Sequence, residues 1–159
     1  DVLAIAVHPS NPVEGLTLAE LRRLFSGEIR DWAELGSPAG RVHLISREAG
    51  SGSREAFREL VGPIHPLTAV QNSNGVIRLA IRNDPAAVGY LSLGVARAGG
   101  VKLVRVDGRL PGEPGYPLVR PLSLVTLGPP SGEARAFLMY ALSPAGQRLV
   151  ADEGLLPVR

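Results

Sequence analysis

The residues from Ser46 to Phe57 have the types and the spacing of an anion-binding loop. They follow an apolar run at 42–45 that predicts a buried strand, and they lead into a segment with helical spacing of apolar residues. The first N–H groups of a helix have no partner within it, and the helix dipole places partial positive charge there. This loop therefore predicts a site for an anion where the helix begins.

Four residues of this loop are candidate ligands. Arg47 offers a planar guanidinium that suits a tetrahedral oxyanion, while Ser51, Gly52 and Ser53 offer backbone N–H groups and two hydroxyls. The phosphate loop of nucleotide hydrolases is a poor match, because it needs a lysine that this loop lacks. The residues also fit a plain helix cap with Arg47 as a solvated charge, so the residues alone leave both interpretations open.

Catalytic and metal-binding alternatives have less support. Ser51 lacks the Gly-x-Ser-x-Gly pattern of a hydrolase nucleophile, and no His or Asp is placed by sequence as its partner. His8, His43 and His65 are widely separated and show no recognised zinc spacing. We therefore expect a protein that is not an enzyme and that uses neither a metal nor a cofactor.

The elements that must position the loop are those of an α/β protein. Strands alternate with helices, which predicts an α/β sandwich around a mixed sheet. The stretch 62–71 contains two prolines and predicts a loop or extended connection. The predicted strands cover 3–7, 42–45, 88–93, 101–106 and 122–127. The predicted helices begin at the capping box of Thr17 and Glu20, at Ser53, and at the caps Asn74, Ser131 and Ser143.

Length and composition indicate one domain that is not built for nucleic acid. The 159 residues are enough to bury a core, and the absence of cysteine excludes disulfides and thiolate metal sites. The net charge is only +2, and the basic residues are scattered without a block or an aromatic platform. The chain begins at Asp1 rather than at Met, so we expect a processed, trimmed or engineered product.

Several segments, in their order along the chain, resemble the phosphate-binding proteins of ABC transporters, which are type II periplasmic binding proteins. The anion loop is similar to their Arg-x-x-Gly-Ser-Gly-Thr motif, with Ser53 in place of Thr and Ala49 where some members have Asp. Their N-terminal segment, which normally supplies a second anion loop, has no counterpart here. The other similar segments are 11–13, 16–21, 24–27, 31–32, 71–76, 88–91, 116–122, 142–147 and 154–158.

The resemblance implies an α/β lobe of the type II periplasmic binding protein fold, with a mixed sheet, flanking helices, hinge strands and C-terminal helices. The whole chain, 1–159, would be a single partial solute-binding domain. About 9–120 would form the second lobe, and 1–8 with 121–159 would form the hinge strands and the C-terminal part of the first lobe. The hinge would pass near Val7–Pro9 and Arg120–Leu124, where two lobes close on a ligand.

The resemblance also implies a function. The chain would bind inorganic phosphate through Arg47, Ser51, Gly52 and Ser53, for an ABC importer whose permease is its membrane partner. It would act in the periplasm or outside the cell, with or without a membrane anchor in the full-length precursor. Three alternatives stay open: another tetrahedral oxyanion as ligand, an isolated sensing or interaction domain built on this fold, and a lobe that binds no ligand. An exposed hinge face would favour a homodimer.

Overall fold

A computed structural model of the chain describes residues 1–38 and 40–158, and it has the predicted α/β character. A short 3₁₀ helix at Trp32–Leu35 accompanies the main elements. These elements are β1 Leu3–Val7, β2 Gly15–Leu16, α1 Leu18–Ser26, β3 His43–Arg47, α2 Gly52–Leu60, β4 Ala69–Gln71, α3 Asn74–Arg82, β5 Ala87–Ser92, α4 Leu93–Ala96, β6 Lys102–Leu103, β7 Arg105–Val106, α5 Gly132–Ala141 and α6 Pro144–Asp152.

The main sheet is mixed, as predicted, and has the strand order β4-β3-β5-β1-β6. Strand β3 is parallel to β4 and β5, whereas β1 is antiparallel to β5 and β6. The carboxyl ends of β3, β4 and β5 therefore share one edge of the sheet. Because Leu3 pairs with Ser92, the amino end of β1 lies at that same edge, and Val7 lies at the opposite one.

Helices cover both faces of the sheet, and two neighbouring residues of β5 show how. Tyr90 lies against Phe25 of α1 and Phe57 of α2, and its ring stacks on that of Phe57 with the centroids 4.0 Å apart. Gly89 faces the opposite way along the strand. A Cβ at Gly89 would lie 3.1 Å from side-chain atoms of Ile77 and Ile81 in α3. Burial of these apolar side chains on both faces holds the sheet between its helices.

Most of the predicted helix starts are confirmed. Thr17 and Glu20 form the predicted capping box of α1, and Ser143 caps α6 with Pro144 as its first residue. The cap of α3 was predicted one residue too late. The hydroxyl of Ser73 accepts the N–H of Val76, which leaves Asn74 inside the first turn of α3 with its side chain available elsewhere.

Two predicted strands were wrong, because distant partners decide strand formation. The stretch 62–71, predicted as a loop or extended connection, contains β4, an extended segment that pairs in parallel with β3. The predicted strand at 122–127 does not form, because no neighbouring strand in the described ranges pairs with it, and its apolar side chains are exposed. The predicted strand at 101–106 is divided into β6 and β7, which join different sheets on either side of Val104.

The segment after residue 119 packs little against the rest of the molecule. Helix α5 buries none of its residues, and its strongest packing partner is α6. The end of α6 comes close to α4, since a Cβ on Gly154 would lie 2.7 Å from the Cα of Gly94. Exposed apolar side chains of this segment include Leu122, Leu124, Val125, Leu127, Phe137, Met139, Tyr140, Leu149 and Val158.

Candidate functional site

The predicted anion loop lies at the sheet edge where β3, β4 and β5 end. Such an edge, at the carboxyl ends of parallel strands, is where open α/β folds hold their ligands. Ser51 caps α2, because its hydroxyl accepts the N–H of Arg54. Gly52 and Ser53 are the first two residues of the helix, so their N–H groups have no partner within it. Both serines are buried, at 6% exposure each.

Arg47 is the last residue of β3, and its guanidinium is held by two neighbours. Nε donates to Oε2 of Glu48 at 2.8 Å, and Nη2 donates to Oε1 of Glu48 at 2.9 Å. Nη1 donates to Oδ1 of Asn74 at 3.3 Å. These three bonds use three of the five N–H groups of the guanidinium, which leaves two for a ligand. The side chain is only 15% exposed, so its orientation is well defined before any ligand arrives.

The ion pair shifts the pKa values of both partners away from their ordinary ranges. The hydrogen bond from Arg47 is the main cause that lowers the pKa of Glu48 to about 2. The same hydrogen bond raises the pKa of the Arg47 guanidinium. A carboxylate with a lowered pKa keeps its charge until the pH falls toward that value. The pair is therefore fully ionised at neutral and mildly acidic pH.

This ionisation predicts a pH effect that can be measured. Between pH 5.5 and 8, Glu48 does not titrate, so this carboxylate contributes no proton exchange of its own to the change in anion affinity. We expect the ratio of the dissociation constants at the two pH values to be the same, within about twofold, in the native chain and in Glu48→Gln. Isothermal titration calorimetry at both pH values measures this ratio. A ratio that changes in the variant would show that Glu48 exchanges a proton in this range.

Half-buried Arg54 and fully buried Tyr90 hold the backbone at the end of β3. Nη1 of Arg54 donates to the carbonyl oxygen of Arg47 at 2.6 Å. The Tyr90 hydroxyl is 2.6 Å from the hydroxyl of Ser46 and accepts the N–H of Arg47 at 3.4 Å. Burial raises the pKa of Tyr90, so its hydroxyl is protonated at physiological pH. The position of Arg47 is thus fixed from the core side as well as by Glu48.

A third arginine reaches this edge from far along the chain. Residues 118–120 pair with residues 1–3, and Nη2 of Arg120 donates to Oδ2 of Asp1 at 2.9 Å. Nη1 of Arg120 lies beside the first turn of α2, since it would be 2.9 Å from a Cβ on Gly52. The helix start is therefore bordered by guanidinium groups from three separate elements.

The structure places all four predicted ligands at this edge, Arg47 at the end of β3 and Ser51, Gly52 and Ser53 at the start of α2. The residues that hold them were not predicted as such. The sequence indicated Asn74 as a helix cap and Arg120 only as part of a hinge segment. Only the pairing of strands shows these contacts.

A second cationic region lies away from this edge. A cavity of about 400 Å³ is bordered by Arg30, Arg41, His43 and His65 near the start of β3. His43 is paired with Asp84 at 2.7 Å, and the Nε of Arg30 donates to the carbonyl oxygen of Gly27. This cavity has no helix start and no Gly/Ser loop at its wall. It provides a comparison site for experiments on anion binding.

Comparison with known proteins identifies a matching family and sequence relatives that share one name. The PBP superfamily domain matches residues 1–145. The phosphate-binding protein PstS of Bacillus subtilis (strain 168) is 30% identical, over 98% of this chain and 55% of that protein. Phosphate-binding protein PstS 2 of Streptococcus agalactiae serotype V is 33% identical, over 77% of this chain and 47% of that protein. The chain therefore spans about half the length of these relatives.

Solved structures with a similar fold are also proteins named for phosphate transport. A phosphate ABC transporter substrate-binding protein with bound phosphate, from Clostridium perfringens, has a TM-score of 0.80 at 26% identity, over 100% of this chain and 69% of that one. An ABC-type phosphate transport receptor from Vibrio cholerae has a TM-score of 0.86 at 27% identity, over 98% of this chain and 69% of that one.

None of the helices within residues 1–38 and 40–158 combines the length and the apolar character that crossing a membrane requires. The family match over most of the chain, the mixed sheet with its flanking helices and the structural neighbours all agree on one fold. The chain belongs to the PBP superfamily, and its fold is that of a type II periplasmic binding protein lobe.

Proposed function

We propose that this chain binds inorganic phosphate for an ABC importer, through Arg47, Ser51, Gly52 and Ser53. The observation that carries the proposal is the fixed guanidinium of Arg47, with two N–H groups left for a ligand, at the same edge as the free N–H groups of α2. Relatives that cover nearly all of the chain are named for phosphate binding, which supports this choice among oxyanions.

The chemistry of the site suits capture of an anion without reaction. Every proposed ligand group is a hydrogen-bond donor toward the anion, including the hydroxyl of Ser51, which can donate outward while it accepts from Arg54. Within the part of the chain that the structure describes, none of these groups is paired with a base that would activate a nucleophile. The relatives are phosphate-binding transport receptors, and we infer the same non-enzymatic role here.

We also propose the place of this chain in a larger receptor. The lobe of about 9–120 predicted from the sequence would also include β1, since that strand pairs with β5 and β6 inside the sheet, and 1–3 with 119–159 would belong to the hinge and to the other lobe. The pairing of residues 1–3 with 118–120 at the anion edge supports a hinge there, rather than near Val7–Pro9, which lies at the opposite edge. The partner would be an ABC transporter permease, and the site of action the periplasm or the cell exterior.

The exposed apolar side chains after residue 119 predict self-association of the isolated chain. Phe137 and Met139 of α5 are exposed, and covering them would remove apolar surface from water. We expect a dimer or larger species by size-exclusion chromatography with light scattering, and mainly monomer for Phe137→Ser/Met139→Gln. Because α5 buries nothing within the monomer, these substitutions should lower the melting temperature only through the loss of association, and the difference should shrink as the protein is diluted. A monomeric native chain would contradict this prediction.

The function is tested by titrating phosphate and, separately, sulfate into the native chain by calorimetry. Saturable binding of phosphate that is tighter than binding of sulfate is the expected result. Tighter binding of sulfate would overturn phosphate as the ligand and favour another tetrahedral oxyanion. No heat from either anion at millimolar concentration would overturn anion binding by this chain.

A further inference from the structure

Arg120 has donors that the rest of the described chain leaves unused. Its Nη2 donates to Oδ2 of Asp1, and its side chain is 23% exposed. Its Nε is buried and has no hydrogen-bond partner among the residues that the structure describes. Its Nη1 also donates to no residue in the described ranges, so the contacts of Arg120 within the chain leave this group available to a ligand.

The position of this guanidinium is also electrostatically unfavourable by itself. It lies beside the first turn of α2, where the helix dipole is positive, and the Arg47 and Arg54 side chains add charge near the same edge. Asp1 provides one negative charge in direct contact. A cation held at the positive end of a helix becomes favourable when an anion binds between them.

The distances allow one anion to reach both groups. A Cβ lies about 2.5 Å from the amide nitrogen of its own residue. Since Nη1 of Arg120 would be 2.9 Å from a Cβ on Gly52, it lies within about 5.5 Å of the Gly52 amide nitrogen. Two donors at this separation can bind different oxygens of one tetrahedral oxyanion.

We propose that Arg120 is a further ligand of the oxyanion held at α2, and that its Nη1 donates to an anion oxygen. The proposal rests on the proposed function, since it adds a residue to that same site. It also explains why position 52 is glycine: the residue has no left-handed φ, yet a side chain there would displace Nη1. A bound anion would then connect α2 to the paired segments 1–3 and 118–120.

The first test removes the guanidinium without leaving a lone buried carboxylate. The variant is Asp1→Asn/Arg120→Gln, which replaces the ion pair by a neutral hydrogen-bonding pair of similar size. The matched control is Glu55→Gln/Arg58→Gln, which removes an exposed ion pair from α2 in the same way. Calorimetric titration with phosphate should show binding at least tenfold weaker in the first variant and unchanged within twofold in the control.

A second variant keeps the fold intact if the first one unfolds. Gly52→Ala leaves the ion pair and the backbone N–H in place but crowds Nη1 of Arg120. We expect it to weaken phosphate binding several-fold in the native background and to have little further effect in Arg120→Lys, which keeps a positive charge for Asp1 but lacks Nη1. This double-mutant cycle separates a clash with Arg120 from a clash with the ligand itself, which would persist in both backgrounds.

The outcomes distinguish the two proposals. Loss of binding in Arg47→Ala together with the weakening described above supports both. Loss in Arg47→Ala with native affinity in Asp1→Asn/Arg120→Gln, or with additive effects in the cycle, would overturn the role of Arg120 and leave the phosphate site. A native chain that binds no phosphate, or that binds equally after Arg47→Ala, would overturn the proposed site and with it the role of Arg120.

Discussion

Replacement of Arg47 by alanine should weaken phosphate binding by at least about a hundredfold, which corresponds to about 2.7 kcal/mol. The variant loses the charge-assisted hydrogen bonds that the guanidinium would make to the anion. It also leaves the Glu48 carboxylate without its partner at the same edge, where a negative charge repels the ligand. Both consequences act in the same direction, which is why this is the largest functional effect we expect.

Two further variants make this prediction specific. Arg58→Ala removes an exposed arginine from the last turn of the same helix and should bind phosphate like the native chain. Arg47→Lys keeps the positive charge but not the planar fork, so it should lie between the native chain and Arg47→Ala. Thermal unfolding of each variant checks that the fold is retained. An affinity within threefold of the native value in Arg47→Ala would contradict the assignment.

Replacement of Phe57 by alanine should produce the largest loss of stability. Phe57 is fully buried. Its ring centroid is 4.6 Å from that of Phe25 and 4.0 Å from that of Tyr90, on which it stacks. Truncation of a buried aromatic residue to alanine costs about 3–5 kcal/mol. For a domain of this size, that loss lowers the melting temperature by roughly 10 °C. The same contact positions α2, so the anion site should weaken as well.

A matched substitution on the exposed side of the chain tests this reasoning. Phe137 is 61% exposed on α5, which buries no residue. At a protein concentration where the chain is monomeric, Phe137→Ala should therefore change the free energy of unfolding by no more than about 0.5 kcal/mol. Differential scanning calorimetry on both variants gives the comparison. Equal losses of stability would mean that α5 is packed in solution or that the aromatic cluster of Phe57 contributes less than its burial indicates.

Local features of the fold could be predicted from the sequence because they depend on neighbouring residues. The capping box of Thr17 and Glu20 fixes the start of α1 through contacts three residues apart, and Pro144 after Ser143 does the same for α6. Strand β1 was predicted with its correct bounds, since its continuous apolar run marks a strand buried on both faces. The anion loop was predicted for the same reason, as a strand, a Gly/Ser turn and a helix in succession.

Features that depend on distant partners could not be predicted. Strand β4 forms because β3 provides its hydrogen-bond partner, and the apolar run at 122–127 remains irregular without one. The contact of Asn74 with Arg47 joins the start of α3 to the end of β3, and Arg120 reaches α2 through pairing with the other end of the chain. The spacing of residues within a short stretch of sequence does not indicate which distant residues will contact each other. The position of the loop that carries the proposed ligands was thus predictable, and the contacts that hold these residues were not.

Binding of phosphate at the first turn of α2 can be observed in nitrogen-15 NMR spectra. The backbone amide and arginine Nε resonances are followed while phosphate is added. We predict saturable shifts of the Gly52 and Ser53 amides and of the Arg47 Nε–H, with one dissociation constant for all three. Shifts confined to the cationic cavity near Arg41 and His43, or none that saturate at α2, would contradict binding at this turn.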